Sequence, residues 1–244
     1  MLEARHLHKS FGALEVTRDV SLSVGQGERW GIVGPNGSGK TTLFNLLSGE
    51  LTLGRGQILI GGEDVTSARP DQRARLGLTR SFQQNNLFND LSVAENLAIA
   101  ISIRRRLGTN FWRRFRNTPR LTEEAEELAG RMGLSSVLTQ LAGSLPYGTQ
   151  RQLELALAIA SRPKVLLLDE PTAGMSPDET KAMTSLIMGL PTDTTILIIE
   201  HDMSVLFEIV ERIVVLDYGS VLAEGTPHEI RNSEAVRRRY FGES

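Results

Sequence analysis

A glycine-rich run near the start of the chain has the composition of a phosphate-binding loop. Residues 34–41 read GPNGSGKT and fit the pattern G-x-x-x-x-G-K-[ST] in full. Glycines let the backbone turn successive N–H groups toward phosphate oxygens, and the following helix adds the positive end of its dipole. In this pattern the lysine reaches the β- and γ-phosphates and the last hydroxyl is a ligand of Mg²⁺. The predicted phosphate-binding residues are Asn36, Gly37, Ser38, Gly39, Lys40, Thr41 and Thr42.

Two acidic residues follow an apolar run and are suited to complete such a site. Residues 165–168 read VLLL, which predicts a buried strand, and Asp169 and Glu170 come directly after it. Asp169 is predicted to hold Mg²⁺ through water, and Glu170 to polarise an attacking water as a general base. The alternative is that the two acids cap a helix, which the phosphate-binding loop upstream makes the weaker interpretation.

The elements that must position these residues alternate between short β-like runs and helical stretches. This alternation predicts a parallel sheet with crossover helices. Residues 1–30 and 56–66 carry short alternating strands with glycine turns and predict an antiparallel flap. We expect one compact unit, with residues 1–85 and 162–244 as an α/β core and about 86–161 as an inserted helical subdomain. The core strands are predicted at 30–34, 165–168, 195–199, 212–216 and 221–224, with a helix from near Gly39 and a turn at 217–220.

Composition excludes several classes of protein. The chain has 244 residues, with 27 Lys plus Arg against 29 Asp plus Glu, so its formal net charge is −2. A dedicated nucleic-acid binder usually carries a strong basic excess, so no nucleic-acid partner is expected. The absence of cysteine excludes disulfides, thiolate metal sites and cysteine nucleophiles. No apolar run approaches the ~18 residues that would span a bilayer, and the first residues do not resemble a signal peptide. We therefore expect a cytosolic chain that reaches a membrane through a partner.

An arginine-rich stretch with interleaved aromatic residues lies at 104–116. The arginines are at 104–106, 113, 114 and 116, and Phe111, Trp112 and Phe115 lie among them. A solvated loop is one interpretation. Contact with anionic lipid headgroups or with an acidic partner surface are two others.

Further motifs occur in a fixed order along the chain. Phe11 lies upstream of the phosphate-binding loop, and Gln83 comes at the start of the helical stretch. Residues 145–150 read LPYGTQ and come before a helix, and His201 follows the third apolar strand. Together with the loop and the two acids, these motifs resemble the ATP-binding subunit of an ABC transporter over the whole chain.

The resemblance implies a fold and a set of residue roles. The fold is a RecA-like P-loop NTPase of the α/β class, with a mixed sheet core, an antiparallel β subdomain and an inserted α-helical subdomain. The activity is hydrolysis of ATP with Mg²⁺. Phe11 is expected to stack on adenine, Gln83 to act in catalysis and at Mg²⁺, and His201 to contact the γ-phosphate. The residues expected to contact an ATP held by a second subunit are Tyr147, Gly148, Thr149 and Gln150.

Several segments are similar to one group within this family. They are 82–88 (FQQNNLF), 145–148 (LPYG), 174–177 (GMSP), 199–203 (IEHDM) and 240–243 (YFGE). All resemble the ATPases of branched-chain amino acid importers, and within that group the larger of the two ATPase subunits.

The resemblance also implies partners. Two ATPase subunits face each other head to tail and close on two ATP molecules, and the group resemblance implies a sister subunit as the second chain. Two integral membrane permeases and an extracytoplasmic substrate-binding protein complete the expected complex. The chain is then peripheral on the cytoplasmic face of the inner (plasma) membrane. Phe88 and Leu91 are candidate permease contacts, and core packing accounts for them equally well.

Three residues depart from the family pattern. Pro146 stands where the family has a serine that bonds the γ-phosphate, Thr149 replaces the glutamine, and Ser176 stands where an aspartate is usual. Because the loop lysine, both acids and the histidine are present, we predict a competent ATPase.

Other functions stay open from the sequence alone. One alternative is an importer of urea or a short amide. Another is lipopolysaccharide export, because that system uses a similar small ATPase. A cytosolic ABC ATPase without a transport role, and a nucleotide-binding module without turnover, are the weaker alternatives.

Overall fold

The computed structural model describes residues 1–81, 87–105 and 119–241. The chain divides into two compact units. The first comprises Met1–Arg80, Lys164–Glu170 and Ile187–Ser244, and the second Ser81–Pro163 and Pro171–Leu186. The second unit thus includes residues 171–186, which the sequence analysis placed in the core.

The described residues form ten strands and nine α-helices, with short 3₁₀ and π turns between them. The strands are β1 Leu2–Phe11, β2 Leu14–Val24, β3 Arg29–Val33, β4 Arg55–Ile60, β5 Glu63–Asp64, β6 Leu78–Arg80, β7 Val165–Asp169, β8 Thr195–Ile199, β9 Arg212–Asp217 and β10 Ser220–Gly225. The helices are α1 Lys40–Ser48, α2 Pro70–Arg75, α3 Val93–Arg104, α4 Pro119–Arg131, α5 Tyr147–Ala160, α6 Pro177–Met188, α7 Met203–Ile209, α8 Pro227–Asn232 and α9 Glu234–Val236.

The larger sheet of the first unit has six strands in the order β10-β9-β3-β8-β7-β6. Neighbouring strands are parallel except β9 and β10. Every residue of β7 and β8 is buried, which is why residues 165–168 and 196–199 are continuous apolar runs in the sequence. The sheet confirms the predicted α/β class, and the five predicted core strands are present with their ends shifted by at most one residue.

The antiparallel flap is a separate four-stranded sheet in the order β2-β1-β4-β5. Side chains from both sheets share one hydrophobic core with α1. Leu43, Phe44, Leu46 and Leu47 of this helix are completely buried in it. Because a close-packed core resists movement, α1 holds its first residue, Lys40, in a fixed place.

A buried arginine stabilises the far end of α1. The Arg73 guanidinium is 1% exposed. Its Nη1 donates to the carbonyls of Leu46 and Leu47, at 2.6 and 2.7 Å, and Nε donates to the carbonyl of Ala68 at 3.0 Å. A cation at a helix C-terminus interacts favourably with the dipole and with carbonyls that lack helical partners. Burial lowers the pKa of this guanidinium.

The second unit is mainly helical, as predicted for this part of the chain, and α3 packs against α4 and α5. Ser92 caps α3 in a reciprocal capping box with Glu95. The buried Asn96 side chain accepts from the backbone N–H of Phe88 at 3.0 Å and donates to the carbonyl of Ser92 at 3.0 Å. These bonds fix the segment before α3 and leave the Phe88 side chain half exposed.

Part of the arginine-rich stretch pairs with one carboxylate of the second unit. Arg104 and Arg105 both form ion pairs with Glu124, and Arg162 adds a third at 3.3 Å. Residues 106–118, which contain the aromatic residues and the other arginines of the stretch, lie outside the described residues. Within the described ranges, no helix combines the length and the apolar character needed to cross a bilayer.

We predict that Arg73→Met lowers the free energy of unfolding by about 3 kcal/mol, because several buried carbonyls lose charged hydrogen-bond donors. Chemical denaturation of the full chain measures this change. Arg75→Met is the matched control, since Arg75 lies in the same helix, is exposed and pairs with the exposed Asp71. Equal stability of the two variants would contradict the role given to Arg73.

Candidate nucleotide-binding site

The predicted phosphate-binding loop lies at the edge of the large sheet where β3 ends. β8 and β7 are the next two strands in the sheet, so residues that follow all three strands meet at one edge. A pocket of about 190 Å³ opens there. It is lined by Val16, Asn36, Gly37, Gly39, Lys40, Thr41, Thr42, Glu170 and His201.

The loop needs glycine at two positions. Gly37 and Gly39 have φ angles of 80° and 102°, in the left-handed region that side chains disfavour. A Cβ on Gly39 would also lie 2.8 Å from the carbonyl oxygen of Val16. The turn between β9 and β10 supports the loop, because the backbone N–H of Gly219 donates to the carbonyl of Ser38 at 3.0 Å. The backbone of Val16 and that of Gly219 therefore both approach the loop closely at Gly39.

Lys40 is the first residue of α1 and its side chain is buried at the base of the pocket. Nζ donates to the carbonyl oxygens of Gly34 at 2.7 Å and Pro35 at 3.1 Å. Burial lowers the pKa of Lys40, and the nearby charges of Glu170 and Asp169 oppose this shift. A buried ammonium group is strongly stabilised by hydrogen bonds to anionic oxygens, and the oxygens of a phosphate group are suited to this role.

Glu170 is the acidic side chain that faces the pocket. Its φ angle is 49°, a left-handed conformation that is rare outside glycine and tends to occur at functional sites. The backbone N–H of Glu170 donates to the carbonyl of Ile199 at 2.9 Å, which holds this conformation against β8. Its Oε1 lies 2.9 Å from Nε2 of His201. The pair has the geometry of a general base and its orienting partner.

The backbone around His201 is also fixed. Its N–H donates to the buried carboxylate of Glu200 at 3.1 Å. Asp202 caps α7 by accepting from the backbone N–H of Ser204 at 2.8 Å. The Ser204 hydroxyl, which also bonds this carboxylate, holds the pKa of Asp202 below its usual range. These bonds fix the backbone from which the imidazole of His201 reaches Glu170.

Asp169 is the last residue of β7 and is almost completely buried. Its Oδ2 accepts from Nη2 of Arg80 at 2.6 Å. Mg²⁺ prefers hydroxyl, carboxylate and phosphate oxygens, which the Thr41 hydroxyl and the Asp169 carboxylate match. Within the described part of the chain no cluster of three or more His, Cys, Asp or Glu could hold a metal. The oxygens of Thr41 and Asp169 fit an Mg²⁺ ion that takes its other ligands from phosphate and water, as is usual for this metal.

The structure brings most of the predicted loop residues together with Glu170 and His201. Ser38 is buried and shapes the loop without lining the pocket. Val16 lines the pocket although the sequence analysis did not select it; its position across from the loop depends on tertiary structure. Phe11 ends β1, is half exposed and does not line this pocket, so its stacking on adenine stays a prediction. Gln83 lies outside the described residues.

The other predicted nucleotide contacts belong to the second unit. Tyr147, Gly148, Thr149 and Gln150 form the first turn of α5, with Pro146 at the cap position. The Tyr147 hydroxyl donates to the carbonyl of Ala173 at 2.9 Å. This bond links the start of α5 to the segment before α6. Their contact with a nucleotide stays a prediction.

Comparison with known proteins establishes the class. The fold is that of solved cassettes: a structure of the ADP conformation of an ATP-binding cassette of an ABC transporter matches with a TM-score of 0.85 and 27% identity, covering 100% of this chain and 99% of that one. Residues 17–173 match the family model "ABC transporter". The chain belongs to the ABC transporter family and is an ATP-binding cassette with ATPase activity, which confirms the resemblance drawn from the motifs.

More specific similarity comes from the C-terminus and from individual relatives. Residues 220–244 match the family model "Branched-chain amino acid ATP-binding cassette transporter". The high-affinity branched-chain amino acid transport ATP-binding protein BraF of Pseudomonas aeruginosa is 39% identical, covering 100% of this chain and 98% of the relative. The lipopolysaccharide export system ATP-binding protein LptB of Haemophilus influenzae is 36% identical, with the same coverage.

We predict that Phe11→Ala weakens ATP binding about tenfold, since loss of one aromatic–base stack costs about 1–3 kcal/mol. Affinity for inorganic tripolyphosphate should not change, because the phosphate-binding loop is intact. Calorimetry measures both affinities. Leu14→Ala is the control, as Leu14 is exposed in the same hairpin. Equal losses for ATP and tripolyphosphate would contradict a stacking role.

Proposed function

We propose that this chain is the ATP-hydrolysing subunit of an importer for branched-chain amino acids or a related small polar substrate. The observation that carries the ATPase assignment is the convergence of Lys40, Thr41, Glu170 and His201 on one pocket. Two observations support branched-chain amino acids as the class of cargo. Residues 220–244 match the family model for branched-chain amino acid transporters, and the whole chain is similar to BraF. The cargo itself is an inference by similarity, since an ATPase subunit need not touch it.

The proposed chemistry follows from the positions of these groups. Lys40 and the N–H groups of the loop bind the β- and γ-phosphates. Thr41, and Asp169 through water, would hold Mg²⁺, which would neutralise charge on the phosphates. Glu170 accepts a proton from water as the water oxygen bonds to the γ-phosphorus. The bond between that phosphorus and the bridging oxygen breaks, which gives ADP and phosphate. His201 orients the Glu170 carboxylate and faces the γ-phosphate.

The proposed complex contains two ATPase subunits, two permeases and an extracytoplasmic binding protein, on the cytoplasmic face of the membrane. Each ATP binds the loop of one subunit and the first turn of α5 of the other. Pro146 has no hydroxyl to offer there, so the backbone N–H groups from Tyr147 onward and the helix dipole bind the phosphate. Release of phosphate lets the subunits separate, which couples hydrolysis to transport.

Lipopolysaccharide export is a second candidate, because LptB is similar over the full length of this chain. The two functions require different membrane partners. Isolation of the complex therefore separates them.

We predict that Glu170→Gln lowers ATP turnover by about 10²–10⁴-fold, the usual contribution of general-base catalysis, and leaves ATP affinity intact. Steady-state phosphate release and equilibrium nucleotide binding measure the two effects. Glu208→Gln on the exposed side of α7 is the matched control. Turnover at the parent rate in Glu170→Gln would show that another group is the base.

We predict that tagged Glu170→Gln chain, retained in its ATP-bound form, isolates two permeases and a second ATPase from detergent-solubilised host membranes. Mass spectrometry identifies the retained chains, and the parent chain without ATP is the control. Permeases with an associated amino-acid-binding protein would support import. Lipopolysaccharide export components would support the second candidate, and only soluble proteins would contradict both.

A further inference from the structure

Arg80 lies beside the proposed Mg²⁺ carboxylate and has no role in the chemistry described above. It is the last residue of β6, the outermost strand of the large sheet next to β7, and its side chain is 8% exposed. In the parallel pairing of β6 with β7, Arg80 is opposite Leu167. Asp169 lies two residues farther along β7, and side chains two residues apart share a face of a sheet. The register thus directs Arg80 toward Asp169.

The guanidinium connects the acidic strand to the helix of the phosphate-binding loop. Nη2 donates to Asp169 Oδ2 at 2.6 Å. Nη1 donates to Asn45 Oδ1 at 2.6 Å and to Glu50 Oε2 at 2.7 Å. Asn45 belongs to α1, and Glu50 follows its end. One planar group therefore joins the end of β7 to the helix that begins at Lys40.

The surroundings of Arg80 restrict its movement. Its guanidinium carbon lies 5.8 Å from the centre of the Phe44 ring, which is completely buried in the core. Bonds to three side chains, two from α1 and the residues just after it and one from the end of β7, fix the plane of the guanidinium, because its donors form a rigid fork. A lysine has a single ammonium group and no such plane.

We propose that Arg80 is a positioning residue for Mg²⁺–nucleotide binding: by bonding Asp169 Oδ2 it fixes the plane of the carboxylate, and it ties that plane to α1. The inference rests on the proposed role of Asp169 at Mg²⁺. Groups that orient a metal ligand contribute about 10–100-fold to metal affinity although they do not touch the metal. The Arg80 guanidinium bonds Asp169, Asn45 and Glu50, none of which belongs to the phosphate-binding loop, so we expect its effect to appear only when Mg²⁺ is present.

The test measures binding of a fluorescent ATP analogue to the full chain, in EDTA and across a titration of Mg²⁺. We expect Arg80→Met to raise the Mg²⁺ concentration for half-maximal enhancement of binding by about tenfold or more. Affinity in EDTA should equal that of the parent. Arg75→Met, which removes an exposed arginine, should behave as the parent in both media. Equal weakening with and without Mg²⁺ would overturn the proposal, since it would make Arg80 a structural brace only.

Two further variants make the result unambiguous. Arg80→Lys keeps a buried cation and guards against a methionine variant that fails to fold; it should fall between parent and Arg80→Met in its Mg²⁺ requirement. A lysine variant equal to the parent would overturn the role of the planar fork. Asp169→Asn should lose Mg²⁺ enhancement. If Asp169→Asn keeps the enhancement of binding by Mg²⁺, the proposed role of Asp169 at the metal is wrong, and the Arg80 proposal with it. If Asp169→Asn loses the enhancement and Arg80→Met does not require more Mg²⁺ than the parent, only the Arg80 proposal is overturned.

Discussion

The first unit holds a buried positive charge, the ammonium group of Lys40, at the start of α1. This group donates hydrogen bonds to two carbonyls of the loop. A buried cation is costly unless the surrounding structure holds it and gives it partners. The core packs α1 between two sheets, and Arg73 binds the carbonyls at its other end. The position of one charge therefore depends on the packing of the whole unit.

The geometry of the candidate site follows from strand order. Because β3, β8 and β7 are parallel neighbours, the loop, Glu170 and His201 reach the same edge of the sheet although they are far apart in sequence. The left-handed backbone of Glu170 is maintained by its hydrogen bond to β8. The hydrogen bond to β8 thus places the Glu170 carboxylate next to His201, an arrangement that suits a general base with an orienting partner.

The sequence allowed prediction of the features that depend on local pattern. The glycines before Lys40 predicted the phosphate-binding loop, and the apolar run before Asp169 and Glu170 predicted β7. The structure has the loop and the strand at these positions. The role of arginines could not be predicted in the same way. Arg73 and Arg80 are both buried, but nothing near them in sequence distinguishes them from exposed Arg75. Arg73 bonds carbonyls of α1 and Arg80 bonds side chains of α1 and β7, so tertiary contacts were needed to assign their roles.

Val16 and Phe11 illustrate the same limit of local pattern. Their strands belong to the antiparallel sheet, and only its packing against the loop decides which side chain lines the pocket. The division of the chain into two units could not be predicted from local pattern either. Residues 171–186 follow β7 in sequence but cluster with the helical second unit. Local pattern thus predicted the phosphate-binding chemistry, while long-range contacts determine how that chemistry is supported.

The most direct test of this account is a structure of the Glu170→Gln chain with ATP and Mg²⁺. We predict that the β- and γ-phosphates lie on the N–H groups of residues 37–41, that Lys40 Nζ contacts phosphate oxygens, and that Thr41 and, through water, Asp169 hold the metal. Phosphates bound elsewhere, with Lys40 still on the carbonyls of Gly34 and Pro35, would contradict it.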